Sequence, residues 1–260
     1  ARPKLEPSRQ PPTTAITFAG TRQTATQQNL ASPFMLNSMS FASGAGAFTV
    51  SGNALRFAGS SASLGQNSAN PVTLAVPIQI VDQLVVSGSG SVTFKGGLAS
   101  ANADPAFRPR LVKRGSGRLT LTEPSSFQGL VAIEQGQLRL EHALALQTAD
   151  VTLAVDNGLD LAGAASVTLG GLSGSGALAL GATRLSVGAS HSTPAAYSGN
   201  LSATTGSLAK VGDGRTELRG TSTLAALRVE RGSLLLSAGS MTLSDSAEGL
   251  LVGSLAAAPP

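Results

Sequence analysis

Residues 111–140 read LVKRGSGRLTLTEPSSFQGLVAIEQGQLRL, and residues 208–236 read LAKVGDGRTELRGTSTLAALRVERGSLLL. Lys113 aligns with Lys210, Gly115 with Gly212, Gly117-Arg118 with Gly214-Arg215, and Leu121 with Leu218. After one deleted residue, Gly136, Leu138 and Leu140 align with Gly232, Leu234 and Leu236. An internal repeat of this size points to stacked units, because one unit alone is too small to bury its apolar face. Each copy follows one grammar: glycine, then an apolar–polar–apolar triplet, then glycine again. Residues two apart in an extended chain share a face, so each triplet turns two aliphatic groups inward and one polar group to water.

The same triplets run outward from the repeat in both directions. Ile16-Thr17-Phe18, Leu55-Arg56-Phe57, Val72-Thr73-Leu74 and Val92-Thr93-Phe94 precede it, and Val151-Thr152-Leu153, Val167-Thr168-Leu169, Leu185-Ser186-Val187 and Met241-Thr242-Leu243 follow. Gly, Ser, Asn or Asp bracket each one, as turns require. No segment carries a 3.6-residue apolar stripe with caps; the nearest approach to a helical turn is HALALQ at 142–147, which reads better as another short strand. Strands of three to five residues are unstable as isolated hairpins. Stacked coil on coil, they pair with their equivalents above and below. The expected fold is therefore all-β, a right-handed parallel β-helix (β-solenoid). With turns of 20–29 residues, it would have about ten coils and a length of around 50 Å. A β-sandwich or hairpin array is the alternative, but Asn157-Gly158 is the clear hairpin signal and others are lacking.

Composition agrees with a narrow, repeating core. Apolar residues reach 42% with only 3% aromatic and no Trp, so the interior must be filled by Ala, Leu and Val. Charged residues are 12%, about half the usual share, and 31 Gly supply sharp turns. The absence of Cys excludes disulfides and thiolate chemistry. No apolar run is long enough for a membrane-spanning helix, and the N-terminal residues lack the apolar stretch of a signal peptide. Residues 1–12 read as a polar, Pro-rich tail, 13–255 as a single β-helical domain, and 256–260 as a linker end.

The grammar Leu-x-Lys-x-Gly-x-Gly-x-Leu-x-Leu, a spacer, Val, then Gly-x-Leu-x-Leu resembles the autotransporter-associated β-strand repeat of Gram-negative passenger domains. Leu111, Lys113, Gly115, Gly117, Leu119, Leu121, Gly129, Val131, Gly136, Leu138 and Leu140 carry the resemblance. Residues 208–236 depart from it, with Thr216 where Leu belongs and a shortened spacer. The resemblance implies a secreted or surface-displayed passenger, serving adhesion, self-association or as a rigid stalk. The partners it implies are host or cell-surface glycans and proteins, other copies of itself, and a translocating outer-membrane β-barrel. It is specific for architecture and says little about activity.

Candidate chemistry is sparse. His142 and His191 lie apart and in no metal-binding spacing, and no nucleophile elbow or phosphate-binding loop occurs. Catalytic residues, metal ligands and cofactors are therefore not expected. Asp156 and Asp160 are the one acidic pair that a polysaccharide-cleaving β-helix, the competing function, would use, but turn geometry at Asn157-Gly158 accounts better for Asp156, and Asp160 is the outward middle of Leu159-Asp160-Leu161. The densest charge is Arg108, Arg110, Lys113, Arg114 and Arg118, opposed nearby only by Asp104. Such a cluster suits polyanions, although a solvated turn face is the favoured reading, with Lys113 and Arg118 recurring as Lys210 and Arg215 in the repeat. With Tyr197 the only Tyr, aromatic platforms for nucleic-acid bases are missing.

Overall fold

The structure is a computed structural model and describes residues 13–30, 32–59, 61–104, 106–190, 196–244 and 249–252. The tail expected at 1–12 and the linker end at 256–260 lie outside these residues, as does His191. The described chain is all-β, without a helix. Its strands are mostly three to five residues long and pair in parallel with the strand one coil earlier and one coil later. Parallel pairing throughout rules out the sandwich and the hairpin array. One sheet of twelve strands runs the length of the stack, so the chain climbs through about eleven turns.

Coil size changes along the rod. From Gln83 to its partner Arg110 is 27 residues, whereas Arg110 to Leu130 and Leu130 to Asp150 are 20 each. The larger early coils carry a third short strand, forming the four-stranded sheet of Phe34–Leu36, Leu55–Phe57, Ile78–Ile80 and Leu98–Ser100. Their interior takes most of the buried rings, with Phe127 and Tyr197 the exceptions further along. Phe41, Phe57 and Phe94 are buried, and Phe18 stacks on Phe41 with centroids 4.8 Å apart.

Register explains the triplets. In the seven-stranded sheet Val72, Val92, Leu119, Leu138 and Leu159 form one inward row, and Leu74, Phe94, Leu121 and Leu140 form the next. All nine are buried. The outward row between them is Thr73, Thr93, Thr120, Arg139 and Asp160, where Arg139 Nη1 donates to Asp160 Oδ2 at 2.8 Å. Burying each Leu contributes roughly 1.5–3 kcal/mol, and the cost of fixing short strands is shared with two neighbours.

The segment 142–147 resolves the ambiguity in its sequence. It is a turn closed by Ala145 N donating to His142 O, and strand begins at Leu146. The strands Leu146–Leu153 and Ser166–Gly174 are longer than the rest and bend round a corner of the coil. Gly170 lies at the second bend, where a Cβ would meet the backbone of Thr148 and Ala149. Tyr197 fills the interior nearby, and its hydroxyl donates to the carbonyl of Gly176 at 2.7 Å. Burial pushes that phenol's pKa up, and the ring is out of reach of any nucleic-acid base.

Within the repeat, where the alternation is expected to turn Leu and Val inward, Leu121, Val131, Leu138, Leu140 and Leu218 are buried. Val229 and Leu234 are only half-buried, and Leu236 is 50% exposed. Leu236 keeps the register of its buried partner Leu218. Its strand, Ser233–Leu236, is the edge of a two-stranded sheet, and among the described residues no further coil packs on it.

Candidate functional surface

The five cations of the basic cluster do not converge. Lys113 turns inward. It stands in an interior row between Val86 and Ile133, 2% exposed. Its ammonium donates to the carbonyl oxygens of Arg114 at 2.9 Å, Gly115 at 2.7 Å and Gln135 at 3.2 Å. Lys210 repeats the arrangement between Val187 and Val229, donating to Val211 at 2.5 Å, Gly212 at 2.7 Å and Arg231 at 3.3 Å. Burial lowers the Lys113 pKa to about 8 and lowers that of Lys210 as well. Lys113 is therefore no part of a solvated cationic face; it closes a turn from inside.

The same turn explains Gly-x-Gly. After the strand Arg110–Lys113 the chain reverses at Gly115, with φ of 72°, which favours Gly. A Cβ on Gly115 would strike the backbone of Gly88 in the coil before, and one on Gly117 the carbonyl of Gly90. Glycines thus stack on glycines. The tight turn directs its carbonyls at the lysine, so Lys113 and the two glycines are one device.

The four arginines stay at the surface, but acids and amides from neighbouring coils meet them. Arg108 Nη2 lies 2.7 Å from Asp150 Oδ2. Arg110 and Arg114 both bind Glu134, at 3.1 and 2.6 Å, which raises the Arg114 pKa and lowers that of Glu134. Arg118 Nε donates to Gln137 Oε1 at 2.8 Å. Asp104, the only nearby acid in sequence, forms no ion pair with them among the described residues; stacking brings in acids 20 to 42 residues away.

Asp150 joins two excursions. Its Oδ2 takes Arg108 from the 101–109 loop, and its Oδ1 accepts from Ser190 Oγ at 2.7 Å. Around it Val112 and Ala132, which point outward, are nonetheless buried. The strict in–out alternation read from the sequence therefore fails here, because this stretch of the long sheet is covered on both faces.

Asp156 and Asp160 do not act as a pair. Asp156 Oδ1 accepts from Ala177 N at 2.8 Å, while Asp160 binds Arg139 and caps Ala162 N. Asn157 has φ of 53°, as its turn role requires. His142 is half-buried, its Nδ1 accepting from Leu144 N at 3.0 Å. No group of three or more metal-binding side chains occurs among the described residues. No helix among them is long and apolar enough to cross a membrane. The feature that sequence reasoning missed is a groove of about 460 Å3 on the flank of the rod, beside Leu98–Ser100. Its residues come from four successive coils and share no local motif.

Compared with family models, curated proteins and solved structures, the chain finds no match.

Proposed function

We propose that the chain is a passenger segment displayed on or released from a bacterial surface, acting in adhesion, in self-association or as a rigid stalk. The outer surface supports this reading. The twelve-strand sheet carries short polar side chains in register, such as the exposed pair Thr17 and Ser40, bonded at 2.9 Å. Most cations nearby are already matched by acids, and the net charge is only +4. Such a face repeats one weak contact along the rod, and many displayed copies multiply avidity by factors of about 10² or more. The partners are surface glycans or proteins or further copies of the chain, and a β-barrel translocator delivers it.

Display of residues 1–260 on an outer-membrane β-barrel tests the proposal. Cells carrying it should clump or adhere, while cells carrying the barrel alone should not. Replacing Arg108, Arg110 and Arg114 with Ser separates two modes. Adhesion to polyanions would fall and lose its salt sensitivity, whereas association through neutral faces would persist. Neither clumping nor adherence would leave the stalk as the role.

A further inference from the structure

The sheet that lines the groove's flank ends at Leu98–Ser100, and the next coil joins it through a single bridge, Ala99 to Ser126. The resulting cleft, about 460 Å3, falls in the range of roughly 300–1,000 Å3 typical of small-ligand sites. No residue that lines it is charged. Pro77, Leu98 and Pro124 supply apolar surface, and Gln79, Gln128 and Gln147 bring three amides to the same cleft.

Two of those amides are held from behind. Gln79 Oε1 accepts from Arg56 Nε at 2.9 Å and from Nη2 at 2.7 Å, which fixes the amide plane and leaves its NH2 as an unused donor. Gln147 Nε2 leans on the carbonyl of Ser125 at 3.4 Å, which leaves its Oε1 as an acceptor. The Gln128 side chain has no partner among the described residues and offers both. Donors and acceptors positioned before binding lose little freedom on binding.

We infer that this groove binds a neutral oligosaccharide. A sugar hydroxyl both donates and accepts, as the paired amides require, and the C–H face of a pyranose matches proline and leucine surface. The absence of charge disfavours acidic glycans. An extended peptide added to the sheet edge is the poorer fit. Ser126 N already donates to the carbonyl of Leu98 at 3.1 Å, and Gln128 N already donates to Ser100 Oγ at 3.1 Å. The inference takes its biological setting from the adhesion reading, but its physical basis is the groove.

The test uses the whole 260-residue chain and an array of neutral gluco-, manno-, galacto- and N-acetylglucosamine oligosaccharides, with hits re-measured by saturation-transfer NMR. At least one series should bind, with little dependence on salt. Gln79→Ala and Gln128→Ala should each weaken binding about tenfold, and Ala99→Trp should fill the groove and abolish it. Melting curves show whether each variant is folded; Gln128, with no side-chain partner to lose, is the safe substitution. Arg110→Ser should leave binding unchanged. Binding by no series, or binding indifferent to Gln128→Ala and Ala99→Trp, overturns the inference, as does capture of extended peptides in place of sugars. Displayed cells that adhere although the purified chain binds no neutral sugar would sink the groove and spare the adhesion reading. Purified protein that binds through the groove while displayed cells stay inert would do the reverse.

Discussion

The two copies of the repeat share a turn and differ in what lies beyond it. In residues 111–140 and 208–236 alike, a buried lysine donates to three carbonyls and glycines stand at positive φ, at Gly136 and Gly232 with 67° and 71°. Yet Leu138 and Leu140 are buried, while their counterparts Leu234 and Leu236 are half-buried and exposed. The turn is built largely within its own coil. The aliphatic row is a property of the stack and is completed only where a coil follows.

The sharpest way to break this comparison is to place a charge in each row. Leu138→Asp leaves an unpaired carboxylate in the core and should cost about 3–5 kcal/mol in urea unfolding. Leu236→Asp should cost no more than about 0.5 kcal/mol, as for surface sites. Equal losses would show that the end coil is as closed as the middle.

Removing the lysine probes the shared part. Lys113→Met keeps the aliphatic stem and strips donors from three carbonyls, with an expected loss of roughly 2–4 kcal/mol by the same measurement. Lys210→Met should match it, because Val211 and Gly212 lie in the same turn as the lysine. A much smaller loss at Lys210 would mean that the turn depends on the following coil after all.

Gly136→Ala and Gly232→Ala should each cost about 1–3 kcal/mol, since both need positive φ and a Cβ would meet the carbonyls of Gly115 and Gly117, or of Gly212 and Gly214. Thermal melts of the pair check this. A cheap substitution at either would remove close stacking as the reason for the motif.

The smallest effect separates the copies by charge. Glu217 stands where the first copy has Thr120, and it accepts from Ser237 at 2.6 Å and from Arg219 and Arg215 at 2.8 Å each. These bonds hold its carboxyl at about 2, well below the ordinary carboxylate value of 4.5. A depressed carboxylate pKa stabilises the fold above 4.5, and that contribution is lost as pH falls through about 2. Glu217→Gln should therefore flatten the acid limb of the stability–pH curve. An unchanged limb would show that the three bonds do not favour the charged form.

The rows were legible in the sequence because inward and outward positions alternate locally, as Leu119-Thr120-Leu121 shows. The repeat showed that Lys113 recurs, but the charges around it read as a solvated turn face, whereas it is buried. That follows from register, which sets Lys113 beside Val86 and Ile133. The pairing of Arg108 with Asp150 and of Arg110 with Glu134 spans whole coils, and its distance in sequence varies with the excursions between. The groove was invisible for the same reason. Gln79, Gln128 and Gln147 are unremarkable glutamines until stacking sets them around one cleft.

The glycine columns also bear on how such a chain changes over generations. Gly115 rests on Gly88 beneath it and under Gly136 above. A duplicated coil meets, on both sides, the backbone shape it already fits, and a deleted coil brings together surfaces that were never strangers. Gain or loss of a coil therefore alters this protein by whole turns, in steps of about 4.8 Å. The rod can be lengthened or shortened by copying errors alone, before any single residue has to be reinvented.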